Sequence, residues 1–448
     1  MCGPSEGQSR SHERRSGTDD DGDFPWDLGV CDAHCHPTDT MTSIESISSM
    51  RARVLTAMST RSQDQDLVAS VAAEHGIRDR SALVSDCQEA PRKIVPAFGW
   101  HPWFSHQLFD DTAGNGGNST YDPSSSSLAE QKAKHYEAVL SSFPDAEFVA
   151  SLPDPKPLSG FLAETRQRLE ENPLALIGEV GLDKAFRLPS AWKEDEQQER
   201  DEGLTPGGRE GRLLSPYHVK MPHQTQILTA QLRLAGELGR AASVHGVQAH
   251  GVLFDAISAL WKGHEKEVVS RRKQKMVAKG AEDFSSSSEE EEDEDDIWAE
   301  INGQAPAAKP RQKKYKPKPF PPRICLHSFS GSAQVMKQYL HPAVPATMYF
   351  SFSTVINLAT AGGKDKFPEL VKTCPDDRIL IESDLHTAGE DMDYYLKDIC
   401  RKICEIKKWT LQEGIEKLRK NYEELNPQPR CRDAELLLSV DWPDDKIP

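Results

Sequence analysis

Eight short apolar runs, separated by helical stretches and polar excursions, constrain this chain more than any other feature. They are Gly29–His36, Val54–Thr60, Ile94–His101, Ala175–Asp183, Ala241–Val247, Arg323–Phe329, Thr347–Ser353 and Ile379–Leu385. Amphipathic stretches lie between them, at Gln63–His75, Glu130–Ser142, His223–Arg240, Ala333–Leu340 and Tyr394–Lys408. Runs apolar on both faces and separated by helices belong to a parallel sheet that is covered on both sides. Eight such units predict an α/β fold, a closed (β/α)8 barrel of the TIM type; the alternative is an open doubly wound sheet. A length of 448 residues allows two or three domains, but a barrel carrying insertions reaches it as one.

The polar segments set the expected organisation. Residues 1–25 are charged and rich in Gly and Ser, and read as a disordered tail ahead of a single barrel domain over 26–448. Asp110–Ser127 and Lys193–Ser215 read as loop extensions. The largest insertion runs from about 262 to 322: a charged helix, then Ser285–Ser288, eight acids from Glu289 to Asp296, and a Lys/Pro-rich end. Such a segment buries too little apolar surface to offset chain entropy, so disorder is expected. Its serines resemble sites for acid-directed kinases, and its Lys/Pro end a targeting or nucleic-acid segment. The formal charge of −17 argues against a protein that coats nucleic acid, although the acid run inflates that figure. Nine scattered cysteines without a Cys-x-x-Cys pair suit a reducing compartment. No signal peptide and no apolar run of bilayer length are read, so a soluble monomer of the cytoplasm or nucleus is expected.

Polar residues gather where the apolar runs end. The first run closes on Asp32-Ala33-His34-Cys35-His36-Pro37, whose alternation puts Asp32, His34 and His36 on one face. The third ends at Gly99-Trp100-His101-Pro102-Trp103 and the fourth at Gly178-Glu179-Val180-Gly181-Leu182-Asp183. The fifth carries His245, the sixth ends at His327-Ser328-Phe329-Ser330-Gly331, and the eighth at Glu382-Ser383-Asp384. In a barrel these ends share one face. Each residue alone has a structural explanation, as a packed histidine or a buried partner of a basic group. Together, histidines and carboxylates at the ends of apolar strands are costly without a common partner, and divalent cations are the simplest one. Imidazoles and carboxylates suit Zn, Mn or Mg without choosing among them. Paired ions favour hydrolysis, in-line attack on a phosphodiester above all. Neither a Gly-rich phosphate cradle nor a Gly-x-Ser-x-Gly elbow is found.

These pieces, with Tyr349-Phe350-Ser351-Phe352-Ser353, Gln226–Ala235 and Asn421, resemble the TatD-type metal-dependent deoxyribonucleases, amidohydrolase-like barrels, over about residues 28–426. The forms Gly-Leu-Asp-Lys-Ala-Phe-Arg-Leu-Pro and Val-His-Gly-Val-Gln-Ala-His-Gly resemble a fungal branch, some members of which are described as interacting with an anaphase-promoting-complex subunit. The resemblance implies two divalent ions: His34, His36 and Asp384 for the first, His245 and His327 for the second, and Glu179 shared. It implies a 3′→5′ exonuclease acting on DNA, with Asp384 taking the proton of the attacking water. His101 and Arg187 would face the substrate phosphate, and Asp32 and Asp183 would stand behind the ligands. Two departures touch phosphate recognition. Val247 stands where many members carry an arginine two residues past the fifth-strand histidine, and the eighth run ends Ser383-Asp384-Leu385-His386 without the usual Thr and Pro. Two other functions are compatible with the chain: an adaptor that docks on a cell-cycle assembly, and a hydrolase of small esters, amides or lactones. Against the latter, the fourth run ends in Glu179, with no lysine placed there to bridge ions.

Overall fold

The computed structural model describes residues 24–84, 92–112, 119–192, 200–268 and 316–426. The expected tail up to residue 23, the acid run and most of the Lys/Pro segment lie outside the described residues. The chain divides into two units, the larger comprising Met1–Lys262, Pro317–His341 and Ala346–Pro429. Of the smaller, residues 263–268, 316 and 342–345 are described; they hold neither helix nor strand, and the Lys266 N–H donates to the Ala343 carbonyl (3.0 Å).

The larger unit is a parallel barrel. In chain order its strands are β1 (Cys31–Cys35), β2 (Val54–Met58), β3 (Ile94–Phe98), a short accessory pair β4 (Leu108–Phe109) and β5 (Lys156–Pro157), then β6 (Leu176–Asp183), β7 (Ala242–Val247), β8 (Arg323–Leu326), β9 (Thr347–Phe352) and β10 (Ile379–Ile381). Omitting β4 and β5, which pair with each other, the order around the sheet follows the chain. Two backbone bonds close β10 onto β1: Asp384 N–H to the His34 carbonyl (3.0 Å) and His36 N–H to the Leu385 carbonyl (2.8 Å). All eight expected strands are present, and nearly every residue in them is buried, as a sheet covered on both faces requires. The barrel prediction holds, and the open sheet is excluded.

The floor of the barrel is apolar and its mouth polar. Val54, Val95, Leu176, Cys325 and Leu380 pack together with Tyr422 and Leu425 of the last described helix, Leu411–Leu425. Burying side chains of that size contributes about 1.5–3 kcal/mol each. Asn421 secures the same helix, donating from its amide to the carbonyls of Asp376 (2.8 Å) and Ile379 (2.9 Å). The Tyr422 hydroxyl meets the Thr56 hydroxyl at 2.7 Å. With the floor filled, polar side chains collect where the strands end, at the opposite rim.

Candidate metal centre

Each side chain of the rim cluster is positioned by the place where its strand stops. β1 stops at Cys35, two residues before Pro37, which has no N–H for the ladder. His34 is completely buried, with Nδ1 3.0 Å from the Ser243 hydroxyl and Nε2 3.1 Å from Nε2 of His36. Asp32 faces the interior but stays behind them. Its carboxylate accepts the N–H groups of His34 (3.0 Å) and Ser383 (3.0 Å) and the Ser383 hydroxyl (2.5 Å), clamping β1 to the end of β10. Burial pushes the Asp32 carboxyl up to about 7.

Glu179, on β6 and almost fully buried, lies at the centre. Its Oε2 is 3.5 Å from His34 Nε2 and 3.3 Å from His36 Nε2. Its Oε1 is 2.7 Å from His327 Nε2, 2.9 Å from His245 Nδ1 and 3.1 Å from His101 Nε2. The two carboxylate oxygens therefore divide the imidazoles into two sets. Asp384 closes the first set, its Oδ1 3.6 Å from His36 Nε2 and 3.9 Å from His34 Nε2. Asp384 (φ 54°) and Ser328 (φ 40°) both adopt left-handed backbone, costly for residues other than glycine and typical of positions held for function.

The hydrogen bonds behind the rings decide which nitrogen is free. Asp183 Oδ2 accepts from Trp103 Nε1 (2.6 Å) and lies 3.2 Å from His245 Nε2, while its Oδ1 accepts the N–H groups of Ala185 and Phe186. Asp183 thus fixes the Nε2 proton of His245 and leaves Nδ1 as the nitrogen that faces Glu179 and would be offered to a cation. His101 is the reverse case. Its Nδ1 accepts the Trp103 N–H (3.2 Å), so Nε2 bears the proton and donates to Glu179 Oε1. His101 is built to hold Glu179 in place, and its nitrogens are committed. Burial lowers the His101 imidazole to about 4, so it stays neutral.

Charge balance points to cations. Burial opposes ionisation of Glu179, yet the rings of His101, His327 and His34 hold its carboxyl well below the usual range. Burial also opposes protonation of His36 and His327. The carboxylates of Asp384 and Glu179 nevertheless raise His36 to about 9, and Glu179 with Glu382 raises His327 well above normal. Without a metal the cluster gathers protons. Within each set two ring nitrogens approach each other, His34 Nε2 to His36 Nε2 at 3.1 Å and His245 Nδ1 to His327 Nε2 at 3.2 Å. Ring nitrogens that converge on each other beside a carboxylate oxygen, once free of protons, are the arrangement of ligands about a cation. The triads His34–His36–Glu179 and His34–His327–Asp384 each bring their ligand atoms within 4.8 Å. The residues present fit divalent metal.

A cavity of about 570 Å³ opens on the cluster and is lined by His36, Glu179, His245, His327, Asp384 and His101, among others. All six residues expected as ligands are brought together. Arg187 is exposed and is not among the residues lining the cavity. Several contributors had no role assigned from sequence. Ser243 backs His34, and Glu382 lies 3.7 Å from His327 Nδ1 and accepts the Ser328 N–H (2.7 Å). Arg61 and Arg209 line the cavity. Glu382 was within reach, since it stands two residues before Asp384 on the same strand end. Arg209 carries no pattern signal of its own.

Fold and site together define a barrel hydrolase built around a histidine–carboxylate cluster. A model of the TatD-related DNases matches residues 31–426, and the chain belongs to that family. It is 35% identical over 392 residues to the Cut9-interacting protein scn1 of Schizosaccharomyces pombe, covering 88% of this chain and 97% of that protein. It is 24% identical over 373 residues to an uncharacterized deoxyribonuclease of Saccharomyces cerevisiae, covering 82% and 86%. Among solved structures it is similar to a TatD homologue from Escherichia coli, with 13% identity, a TM-score of 0.44, and 89% of this chain and 97% of that one covered. No helix among the described residues is long and apolar enough to cross a membrane.

Proposed function

We propose that the chain is a phosphodiesterase dependent on two divalent ions, of the deoxyribonuclease type, removing nucleotides from the 3′ ends of DNA. The observation that carries this reading is the division of Glu179, with Oε2 toward His34 and His36 and Oε1 toward His245 and His327. One carboxylate facing two pairs of imidazoles suits a ligand shared between two ions. His34, His36 and Asp384 would hold one ion, His245 and His327 the other. Bound there, the ions would polarise a phosphoryl oxygen and acidify a water at neutral pH. Asp384, half-buried at the rim and held below the usual carboxylate range, stays ionised to accept the proton released by the attacking water. His101 keeps Glu179 from rotating, and Asp183 keeps His245 in its ligating tautomer.

Elemental analysis and release of nucleotides from 3′-ended single-stranded DNA test this directly. Wild type is expected to carry up to two equivalents of metal, and His34→Ala or Glu179→Gln to lose metal together with at least about a thousandfold in rate. A wild type without metal, or variants that cut as fast as wild type, would refute it. Hydrolysis of small esters with DNA left intact would favour the third function instead. A second role is favoured by the name of the fission-yeast relative, which describes interaction with Cut9. It is docking on the anaphase-promoting-complex subunit that the fungal-branch resemblance implies. Capture of that subunit by full-length chain, and its loss on deletion of residues 269–315 with hydrolysis intact, would support the docking role and assign it to the insertion.

A further inference from the structure

The excursion after β6 returns across the mouth of the barrel. Thr205 donates its N–H to the Asp39 carbonyl (2.8 Å) and its hydroxyl to the Thr38 carbonyl (2.5 Å). Arg61 completes the attachment, donating to the carbonyls of Thr205 and Pro206 (3.3 Å each) while its guanidinium is held by Asp39 (3.1 Å) and Asp64 (2.8 Å). The result is a strap, Leu204 to Glu210, that borders the cavity and is pinned at Thr205 and Pro206.

Two arginines line this cavity beside the carboxylates of Asp39, Glu179, Asp183 and Asp384. Arg61 is buried and already satisfied by Asp39 and Asp64. Arg209, on the strap, is exposed and forms no ion pair among the described residues; its side chain donates only a long bond to the Arg212 carbonyl (3.5 Å). The adjacent Glu210 is occupied by Arg200 (2.8 Å) and the Gly207 N–H (2.6 Å), so it does not neutralise Arg209. Among the described residues the cation is therefore uncommitted, and it lines the same cavity as the cluster. Two other positions do not supply it: Arg187 is not among the residues lining the cavity, and position 247 is valine.

We propose that Arg209 binds the phosphate of the substrate, which makes the strap the element that selects phosphate-bearing chain ends over neutral esters. This rests on the phosphodiesterase reading for its catalytic half only. Guanidinium matches phosphate geometry with paired N–H donors, and charge-assisted bonds of this kind are about twice as strong as neutral ones. A cavity of about 570 Å³ lies within the usual range of about 300–1,000 Å³ for a single small ligand. That size favours a chain end over the interior of a duplex.

The test uses the full-length, metal-loaded protein as wild type, Arg209→Ala and Arg209→Lys. It measures kcat and KM on bis(p-nitrophenyl) phosphate, and calorimetric binding of thymidine 5′-monophosphate. For Arg209→Ala, KM and the nucleotide Kd are each expected to rise at least about tenfold, kcat to change less than about threefold, and Arg209→Lys to recover part of the loss. An unchanged Kd in Arg209→Ala, or no nucleotide binding by wild type, overturns the assignment. If wild type binds the nucleotide through Arg209 but leaves the diester intact, the phosphodiesterase reading fails and the phosphate site stands. If the diester is cut with KM and Kd unaffected by Arg209→Ala, the reading stands and the assignment fails.

Discussion

Replacing Asp183 by asparagine tests the architecture behind the ligands without touching a ligand. The substitution keeps the shape and preserves one oxygen for the N–H groups of Ala185 and Phe186, 2.7 and 2.9 Å away. It puts an NH2 where Oδ2 now faces two donors, Trp103 Nε1 at 2.6 Å and His245 Nε2 at 3.2 Å. Donors cannot face donors, so His245 gives up the Nε2 proton and takes one on Nδ1, the nitrogen turned toward Glu179. The lone pair meant for a cation is lost. Removing such a supporting carboxylate typically weakens metal binding about ten- to a hundredfold, or ~1.4–2.8 kcal/mol. The loss should fall on the ion held by His245 and His327 and spare the one beside His34 and His36. A two-site titration with a chromophoric chelator separates the ions. In the metal-free protein, burial raises Asp183, but His245 and Trp103 outweigh it and bring the carboxyl to about 2. A depressed carboxylate stabilises the fold above its unfolded value near 4, and that contribution disappears as pH falls through 2. At neutral pH it amounts to about 2 kcal/mol, which urea denaturation of metal-free Asp183→Asn should register. An Asp183→Asn protein that binds both ions as tightly as wild type would refute the claim that Asp183 sets the ring.

Metal binding should release protons, because His36, at about 9 without metal, is protonated at pH 7 and must give up its proton to ligate. Affinity should therefore rise about tenfold per pH unit for each proton released between pH 7 and 9, then level off; a flat profile, or calorimetric heats independent of buffer ionisation, would contradict this. Asn421→Ala should destabilise the fold by about 2–3 kcal/mol, since it leaves the carbonyls of Asp376 and Ile379 short of a donor. Metal stoichiometry in that variant should be unchanged below its melting temperature, because Asn421 works on the floor and the cluster sits on the rim.

The strands were legible because a β-strand covered on both faces needs an unbroken apolar run, a signal local to the sequence. Helices were read unevenly. Ala361–Thr373 contains Gly362, Gly363 and Pro368, which hide its periodicity, and yet Thr360 caps it through the Gly363 N–H. Leu411–Leu425 carries a signal that was available, Thr410 three residues before Glu413, with the Thr410 hydroxyl accepting the Glu413 N–H (3.2 Å). The turns Pro37–Ser49 and Pro102–Gln107 are 3-10 segments, whose threefold period resembles neither template.

The same division runs through the site. The candidate ligands were readable because they occupy strand ends, and chain order around a parallel barrel brings every such end to one rim. Cations about the cavity were not, because their effect depends on who neutralises them. Arg61 and Arg187 look alike in a sequence. In the fold Arg61 is buried between Asp39 and Asp64, while Arg187 lies outside the cavity. Arg209 acquires its meaning only when Thr205 fastens to Asp39 and Thr38, more than 160 positions away. A long-range attachment of that kind leaves no periodicity. It also separates two roles: the strand ends bring the candidate metal ligands together, and the strap after β6, as proposed, selects what approaches them. On that proposal, variation in the strap would change the substrate while every candidate ligand of the centre stays the same.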